Sequence, residues 1–262
     1  MTVLQSIAVL GSLGIIAGLI LAAAFNKLKV EDDPAVEDIL KVLPGINCGA
    51  CGYASCRAYS QAVAQGKAGA GLCAPGGQET AEKIIEIKGG DLSSCEKKPQ
   101  KAFVMCKPEK RKFSASYKGI KSCSAANISG GGMECRYGCL GYGDCVRGCP
   151  TGAIKINSFG VAEVIPGKCS GCGICLKVCP RGIIEIRELT GDRAVYVGCS
   201  NQQSAKHTRQ VCSYGCIGCG LCVKRSPEGA FVLKSNLSRV QKQDPGIDIE
   251  KIKCPTGCIY ES

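Results

Sequence analysis

The sequence predicts an α+β protein built from small, metal-stapled domains behind an apolar N-terminal helix. Cysteine accounts for 22 of the 262 residues. Trp is absent and aromatic residues make up only 5% of the chain, so the bulky side chains that fill one large core are missing. A Pro-x-Gly motif recurs along the second half of the chain, which indicates repeated units. Small domains with few aromatic side chains need disulfides or metals to hold them together.

An apolar run from Val3 to Phe25, interrupted by only three polar residues, predicts a transmembrane anchor over residues 1–26. No basic residue precedes this run, whereas Lys27 and Lys29 follow it. The positive-inside rule therefore predicts a single-pass protein of the cell membrane with the bulk of the chain on the cytoplasmic side. A cleaved signal peptide is the alternative, but it needs a basic segment ahead of a shorter apolar run. A reducing cytoplasm favours metal ligation over disulfides.

Residues 27–90 predict a small helical domain that holds one metal centre. Apolar spacing predicts helices over 34–43, 53–67 and 80–88. Four cysteines lie between them: Cys48, Cys51, Cys56 and Cys73. Three close thiolates in a loop and a fourth beyond a helix suit one [4Fe–4S] cluster. The polar, Lys-rich stretch at 91–101 predicts a linker to the rest of the chain.

The remaining chain predicts two versions of one compact module, over residues 102–190 and 191–262. The Pro-x-Gly motif follows four positions: Cys149, Cys179, Ser226 and Cys254. In addition, GCLGYGDCVRGCP at 138–150 aligns with GCIGCGLCVKRSP at 215–227. Each module would consist of short hairpins and one-turn helices around metal.

The spacing Cys-x2-Cys-x2-Cys-x3-Cys-Pro, which ends at Cys179, is typical of bacterial two-cluster ferredoxins. It predicts a ferredoxin-like βαββαβ fold for both modules. In such a run the fourth cysteine binds the other cluster, which gives one complete ligand set, cluster B: Cys149, Cys169, Cys172 and Cys175. Zinc is the alternative for close cysteines, but zinc sites usually pair two Cys-x2-Cys loops.

Cluster A lacks one ligand of this pattern. Three of its cysteines are present: Cys139, Cys145 and Cys179. Tyr142 occupies the position of the missing one, and we expect Cys135, four residues before Cys139, to be the fourth ligand. A three-iron cluster and a more distant ligand such as Cys123 stay open as alternatives.

The last module predicts a single cluster. One ligand set is complete: Cys216, Cys219, Cys222 and Cys254. Every position of the other set is replaced: Ser226, Asp244, Ile247 and Glu250. Sixteen cysteines are thus assigned to about four [4Fe–4S] clusters. Six remain: Cys95, Cys106, Cys123, Cys199, Cys212 and Cys258. Cys106 and Cys199 occupy matching module positions, as do Cys135 and Cys212, so packed core thiols and a fifth cluster both stay open.

The formal charge of +11 indicates an acidic partner. Four clusters at about −2 each would lower it to about +3, yet basic residues crowd the stretch between Lys97 and Lys121. Charge complementarity beside electron-transfer clusters favours soluble ferredoxin over nucleic acid.

The apolar N-terminus, the CGACGYASC motif with Cys73, the YGCLGYGDCVRGCP stretch and the ferredoxin run together resemble the RnfB family of the Rnf electron transport complex, in its long multi-cluster form. The resemblance implies an iron–sulfur electron-relay subunit of a ferredoxin:NAD⁺ oxidoreductase. It would take electrons from reduced ferredoxin and pass them to flavin- and NAD-binding membrane subunits that translocate Na⁺ or H⁺. The chain alone would hold no complete active site and no catalytic residue.

Three alternatives remain at this point. The chain could be a polyferredoxin subunit of another membrane redox complex. It could also be a corrinoid-linked iron–sulfur component, since the N-terminal cysteine motif is similar to that of corrinoid iron–sulfur methyl carriers. A structural zinc protein is the third alternative, and it would lack the visible absorption of iron–sulfur clusters.

Overall fold

The computed structural model describes most of the chain: residues 2–28, 33–89, 100–107, 112–191 and 193–262. It begins with one long helix, α1 (Thr2–Leu28). Large apolar side chains along it, such as Leu13, Leu19 and Leu21, are about two-thirds exposed. Within the described ranges, no helix combines the length and the apolar character needed to cross a membrane. The helix predicted at this end is present, whereas the transmembrane anchor predicted over 1–26 is not supported.

Three helices form the N-terminal domain: α2 (Pro34–Val42), α3 (Cys56–Ala64) and α4 (Gly77–Lys88). The Asp33 side chain caps α2 by accepting from the Ala35 N–H, and Pro34 suits the first helical position. The apolar faces of all three helices meet in one core: Ile39, Leu43, Tyr59, Val63 and Ile84. A 3₁₀ turn at Ala70–Leu72 precedes α4 and packs against it.

The first module contains two antiparallel strand pairs with short helices between them. Strand β1 (Gln100–Val104) pairs with β4 (Ile184–Glu188), and β2 (Ile154–Ile156) pairs with β3 (Ala162–Val164). The helices are α5 (Cys123–Ile128), α6 (Asp144–Arg147) and α7 (Ile174–Val178). The linker expected at 91–101 lies largely outside the described residues, and its last two residues belong to β1.

The second module repeats this order of elements. Strand β5 (Val195–Val197) pairs with β8 (Ile259–Glu261), and β6 (Phe231–Lys234) pairs with β7 (Leu237–Val240). The helices are α8 (Ala205–Val211), α9 (Leu221–Lys224) and α10 (Ile249–Ile252). Each module therefore pairs its first strand with its last and has a short hairpin between them in sequence.

The two modules pack against each other through their first strands. The ring of Tyr196 lies 4.9 Å from that of Phe103 and 5.8 Å from that of Tyr260, centroid to centroid. Just beyond β1 and β5, the Lys107 N–H donates to the Gly198 carbonyl over 3.1 Å. The loops that follow β1 and β5 are thus held side by side.

Candidate metal centres

The four thiols of the N-terminal domain lie close enough for the other three to influence Cys73; we call this group the N-terminal site: Cys48, Cys51, Cys56 and Cys73. Burial raises the pKa of Cys73, and its three neighbouring thiols raise it further. The loop is fixed by Asn47, whose side chain accepts from the Cys56 N–H over 2.8 Å. The hydroxyl of Tyr59, fully buried, donates to the carbonyls of Gly69 and Ala70 at 2.7 Å and so holds the turn before Cys73. The cysteine spacing does not indicate this role of Tyr59.

Site B consists of the four thiols predicted for cluster B: Cys149, Cys169, Cys172 and Cys175. Burial and the three neighbouring thiols raise the pKa of Cys175 to about 12. Backbone N–H groups point at sulfur: Ala102 donates to Cys169 over 3.4 Å and Ala153 donates to Cys149 over 3.3 Å. Gly171 has a φ of +71° and lies against the Gln100 carbonyl, so a side chain there would collide with β1.

Site A differs from the sequence prediction in its fourth thiol. One cavity is lined by four thiols, which define site A: Cys123, Cys139, Cys145 and Cys179. The pKa of Cys145 is raised to about 12 by burial and by the neighbouring thiols, Cys123 among them. Cys135, the expected fourth ligand, does not line this cavity and lies in a second one with other cysteines. The structure therefore brings the more distant Cys123 to site A in place of Cys135.

Helix α5 positions Cys123, and Asp144 caps this helix. The Asp144 carboxylate accepts from the N–H groups of Cys123 and Ser124, both at 2.9 Å, and from the Ser122 hydroxyl at 3.0 Å. Desolvation opposes its charge, but these hydrogen bonds outweigh that effect and lower the pKa of Asp144. The alignment of the two modules contains a signal for this arrangement. The second module has Leu221 at the position of Asp144, and a leucine side chain cannot accept these hydrogen bonds.

Tyr142 packs instead of ligating. Its ring lies 5.6 Å from that of Tyr117, centroid to centroid, beside the small apolar group that contains Cys123 and Leu140. The segment that supplies α5 is an insertion, because Cys106 and Cys135 are 29 positions apart whereas Cys199 and Cys212 are 13 apart. The first module has Tyr142 in place of a cysteine. It also contains an additional segment, and that segment supplies Cys123 to site A.

Site C comprises the four thiols predicted in the second module, which line one cavity: Cys216, Cys219, Cys222 and Cys254. Cys258 lines it too, with its sulfur 3.6 Å from that of Cys254. A hydrogen bond from the Cys258 thiol lowers the pKa of Cys216 to about 6 and that of Cys254 to about 5, while the pKa of Cys258 itself is raised.

The positions of the second module's lost cluster have packing or surface roles. Ile247 belongs to the buried core and is 2% exposed. The Asp244 carboxylate accepts from the Gly246 N–H over 2.8 Å. The Ser226 hydroxyl donates to the Cys222 carbonyl. These residues stabilise loops and core in place of a cluster.

Of the six unassigned cysteines, Cys123 lies in site A, Cys258 beside site C, and Cys95 outside the described residues. The other three lie with Cys135 in a cavity between the modules: Cys106, Cys199 and Cys212.

The donor groups fit iron–sulfur clusters. Among the described residues, no three His, Cys, Asp or Glu side chains form a group that could hold a single metal ion. A [4Fe–4S] cluster instead takes one thiolate at each of four irons. Backbone N–H groups directed at sulfur suit such clusters, since hydrogen bonds to sulfur tune their potentials. At site A, the Nε of Arg181 is buried without a hydrogen-bond partner among the described residues, as expected beside an anionic group.

Two family descriptions match the chain. Residues 43–75 match the family described as "Putative Fe-S cluster", which covers the N-terminal site. Residues 134–183 match the family described as "4Fe-4S dicluster domain", which covers most of sites A and B. These matches bear out iron–sulfur chemistry for both regions.

Full-length relatives are also similar to the chain. It is 39% identical over 269 aligned residues, 98% of the chain and 92% of the relative, to the B component of the proton-translocating ferredoxin:NAD(+) oxidoreductase complex of Clostridium ljungdahlii. It is 36% identical, over 98% of the chain and 77% of the relative, to the B component of the Na(+)-translocating ferredoxin:NAD(+) oxidoreductase complex of Acetobacterium woodii. It is 36% identical, over 81% of the chain and 80% of the relative, to the B component of the ion-translocating oxidoreductase complex of Methanosarcina acetivorans.

Proposed function

The chain belongs to the RnfB family of the ion-translocating Rnf oxidoreductase complexes, and from this we propose that it is the iron–sulfur electron-relay subunit of such a complex. It takes electrons from reduced ferredoxin and passes them to flavin- and NAD-binding subunits, whose reaction is coupled to transport of Na⁺ or H⁺. The overall activity is that of a ferredoxin:NAD⁺ oxidoreductase, to which this chain contributes electron transfer.

The observation that carries the proposal is the grouping of cysteines into four-thiol sites. We propose the four predicted clusters with these ligands: Cys48, Cys51, Cys56 and Cys73; Cys123, Cys139, Cys145 and Cys179; Cys149, Cys169, Cys172 and Cys175; Cys216, Cys219, Cys222 and Cys254. Only the second set changes from the sequence prediction, with Cys123 in place of Cys135, because the cavity of site A contains the former. Bound there, each cluster would accept and release one electron.

Electrostatics supports ferredoxin as the donor. Of the basic residues between Lys97 and Lys121, those described as exposed are Lys107, Lys112, Lys118 and Lys121. Two of them, Lys118 and Lys121, lie in the segment that leads into α5 and site A. A positive surface beside a cluster speeds the encounter with an acidic one-electron donor.

Attachment to a membrane complex is proposed through α1. The large apolar side chains described between Ile7 and Leu21 are exposed, and a surface of that kind is covered in the assembled protein by lipid or by partner subunits. We therefore place the chain at the membrane, with the other subunits of the complex around it.

The proposal is tested on anaerobically purified full-length chain by adding reduced ferredoxin and following the absorbance near 400 nm. Bleaching, followed by recovery when an oxidised flavoprotein acceptor is added, is expected of a relay. A colourless chain that contains zinc, or clusters that ferredoxin does not reduce, would refute it.

A further inference from the structure

Four cysteines outside the sites assigned above meet between the two modules. They are Cys106, Cys135, Cys199 and Cys212, and they line one cavity. We propose that this group, the interface site, binds a further [4Fe–4S] cluster that joins the two modules. The proposal adds a metal site to the chain and rests on the iron–sulfur function proposed above.

The symmetry of the modules builds the interface site. Cys106 follows β1 by two residues, and Cys199 follows β5 by two residues. Cys135 and Cys212 each precede the first thiol of a cluster site by four residues, Cys139 and Cys216 respectively. Each module thus contributes the same two positions, and the packing of the modules completes a set of four.

Backbone donors point at the sulfur atoms of this group. The Cys139 N–H donates to the Cys106 sulfur over 3.3 Å. In the second module the Cys216 N–H donates to the Cys199 sulfur, and Asn201 donates its backbone N–H to the same atom over 3.4 Å. Donors of this kind are also found at sites A, B and C, where backbone N–H groups approach ligand sulfur.

A buried side chain at the cavity lacks a partner. Asn201 lines the interface site and is 1% exposed. Its Oδ1 accepts from the Gln203 N–H over 2.9 Å, which fixes the amide orientation, while its Nδ2 has no hydrogen-bond partner among the described residues. Buried polar groups are normally satisfied, and the sulfide or thiolate sulfur of a cluster would accept from this amide.

Packed thiols explain these features less well. Packing requires neither the backbone donors directed at sulfur nor a buried amide left without a partner among the described residues. Iron supplies the positive charge that stabilises four close thiolates. Arg181, which faces both Cys135 and the thiols of site A, balances the net negative charge of the loaded clusters.

The position of the interface site gives it a role in the relay. Cys106 is tied to Cys139 of site A, and Cys199 is tied to Cys216 of site C, by the hydrogen bonds described above. The cluster would take one electron from a reduced neighbouring cluster, passing from the 2+ to the 1+ state, and return to 2+ when it reduces the next cluster. No bond or proton transfer is needed.

Iron and acid-labile sulfide are measured on the full-length chain, purified anaerobically, and the spins of the fully reduced protein are counted. We expect about 20 iron and five spins per chain, from five cubes of four irons. Values near 16 iron and four spins would overturn the interface site while leaving the proposed function intact. Absence of iron would overturn the proposed function itself. Zinc bound at one per chain beside 16 iron would also overturn the interface site.

Variants then locate the additional cluster. Cys106→Ala and Cys199→Ala, one from each module, should each lower the iron content by about four and remove the same component from the reduced spectrum. Cys95→Ala, the control, should lower neither. Unchanged iron in both interface variants would refute the proposal, and the spin count of the unmodified chain decides the case if the variants fail to fold.

Discussion

Replacing Cys123 tests the revised ligand set of site A. In Cys123→Ala the cavity keeps Cys139, Cys145 and Cys179, so the cube loses the thiolate at one corner. We expect either a three-iron cluster, with one iron lost per chain, or loss of the whole cube, with four irons lost. The thiol is buried, but its removal costs only about 1 kcal/mol of packing, by comparison with a buried methylene. The chain should therefore stay folded, and the change should be confined to site A.

The assay combines iron analysis with paramagnetic resonance of the oxidised chain. A three-iron cluster gives a signal in the oxidised state, whereas intact [4Fe–4S]²⁺ clusters are silent. Loss of Cys135 should also remove iron, but from the interface site, so the iron content alone does not separate the two variants.

A second substitution separates them. Cys219 occupies the position of Tyr142 in the second module, so Tyr142→Cys in the Cys123→Ala background should restore the cube of site A. The exchange loses the Tyr142–Tyr117 contact, about 0.5–1.5 kcal/mol. Tyr142→Cys should not restore the iron lost from Cys135→Ala. Unchanged iron and spectrum in Cys123→Ala, or rescue of Cys135→Ala by Tyr142→Cys, would refute the assignment.

Four other predictions follow from the same contacts. Asp144→Ala removes the cap of α5. It should lower the free energy of unfolding, measured in urea, by about 1–2 kcal/mol and cause partial loss of iron from site A. The control Asp38→Ala, at an exposed ion pair, should change the free energy of unfolding by less than about 0.5 kcal/mol. Ser226→Cys should leave the iron content unchanged, because the other three positions of that cluster remain non-cysteine; a gain of four irons would contradict this. Deletion of residues 1–28 should abolish binding to lipid vesicles and keep the iron content; vesicle binding by the truncated chain would show that other surfaces attach it. The rate of reduction by ferredoxin should fall as salt rises from 0.05 to 0.5 M, roughly, because screening weakens charge complementarity, and a constant rate would argue against a basic docking surface.

Features encoded by local sequence were predictable. The helices expected over 34–43 and 80–88 correspond to α2 and α4, since capping residues and apolar spacing act within a few residues. The repeated order of strands and helices in the two modules agrees with the alignment of their Cys-Pro segments. The grouping predicted for site B likewise depends on one short loop, which carries Cys169, Cys172 and Cys175, and on Cys149 from the preceding Cys-Pro segment.

Features that depend on long-range packing were not predictable in the same way. Cys135 is close in sequence to Cys139, but the chain directs it towards the second module, and Cys123 reaches site A through an insertion. Sequence distance therefore favoured Cys135, whereas the cavity of site A contains Cys123. The two modules differ at two aligned positions: the first has Tyr142 and Asp144 where the second has Cys219 and Leu221. These differences are the signal that could have pointed to α5 as the source of the fourth thiol.

The modules also show why cysteines persist or disappear in sets. A [4Fe–4S] cluster needs a ligand at each of its four irons, so the thiols that remain of a partly dismantled set have no cluster to bind. In the second module one whole set is replaced, and one of its positions, Ile247, now fills the core. The interface site shows the opposite outcome. Its two cysteine positions remain cysteine in both modules, although neighbouring positions have diverged and no ligand set within a single module requires them. A shared cluster requires all four of them together.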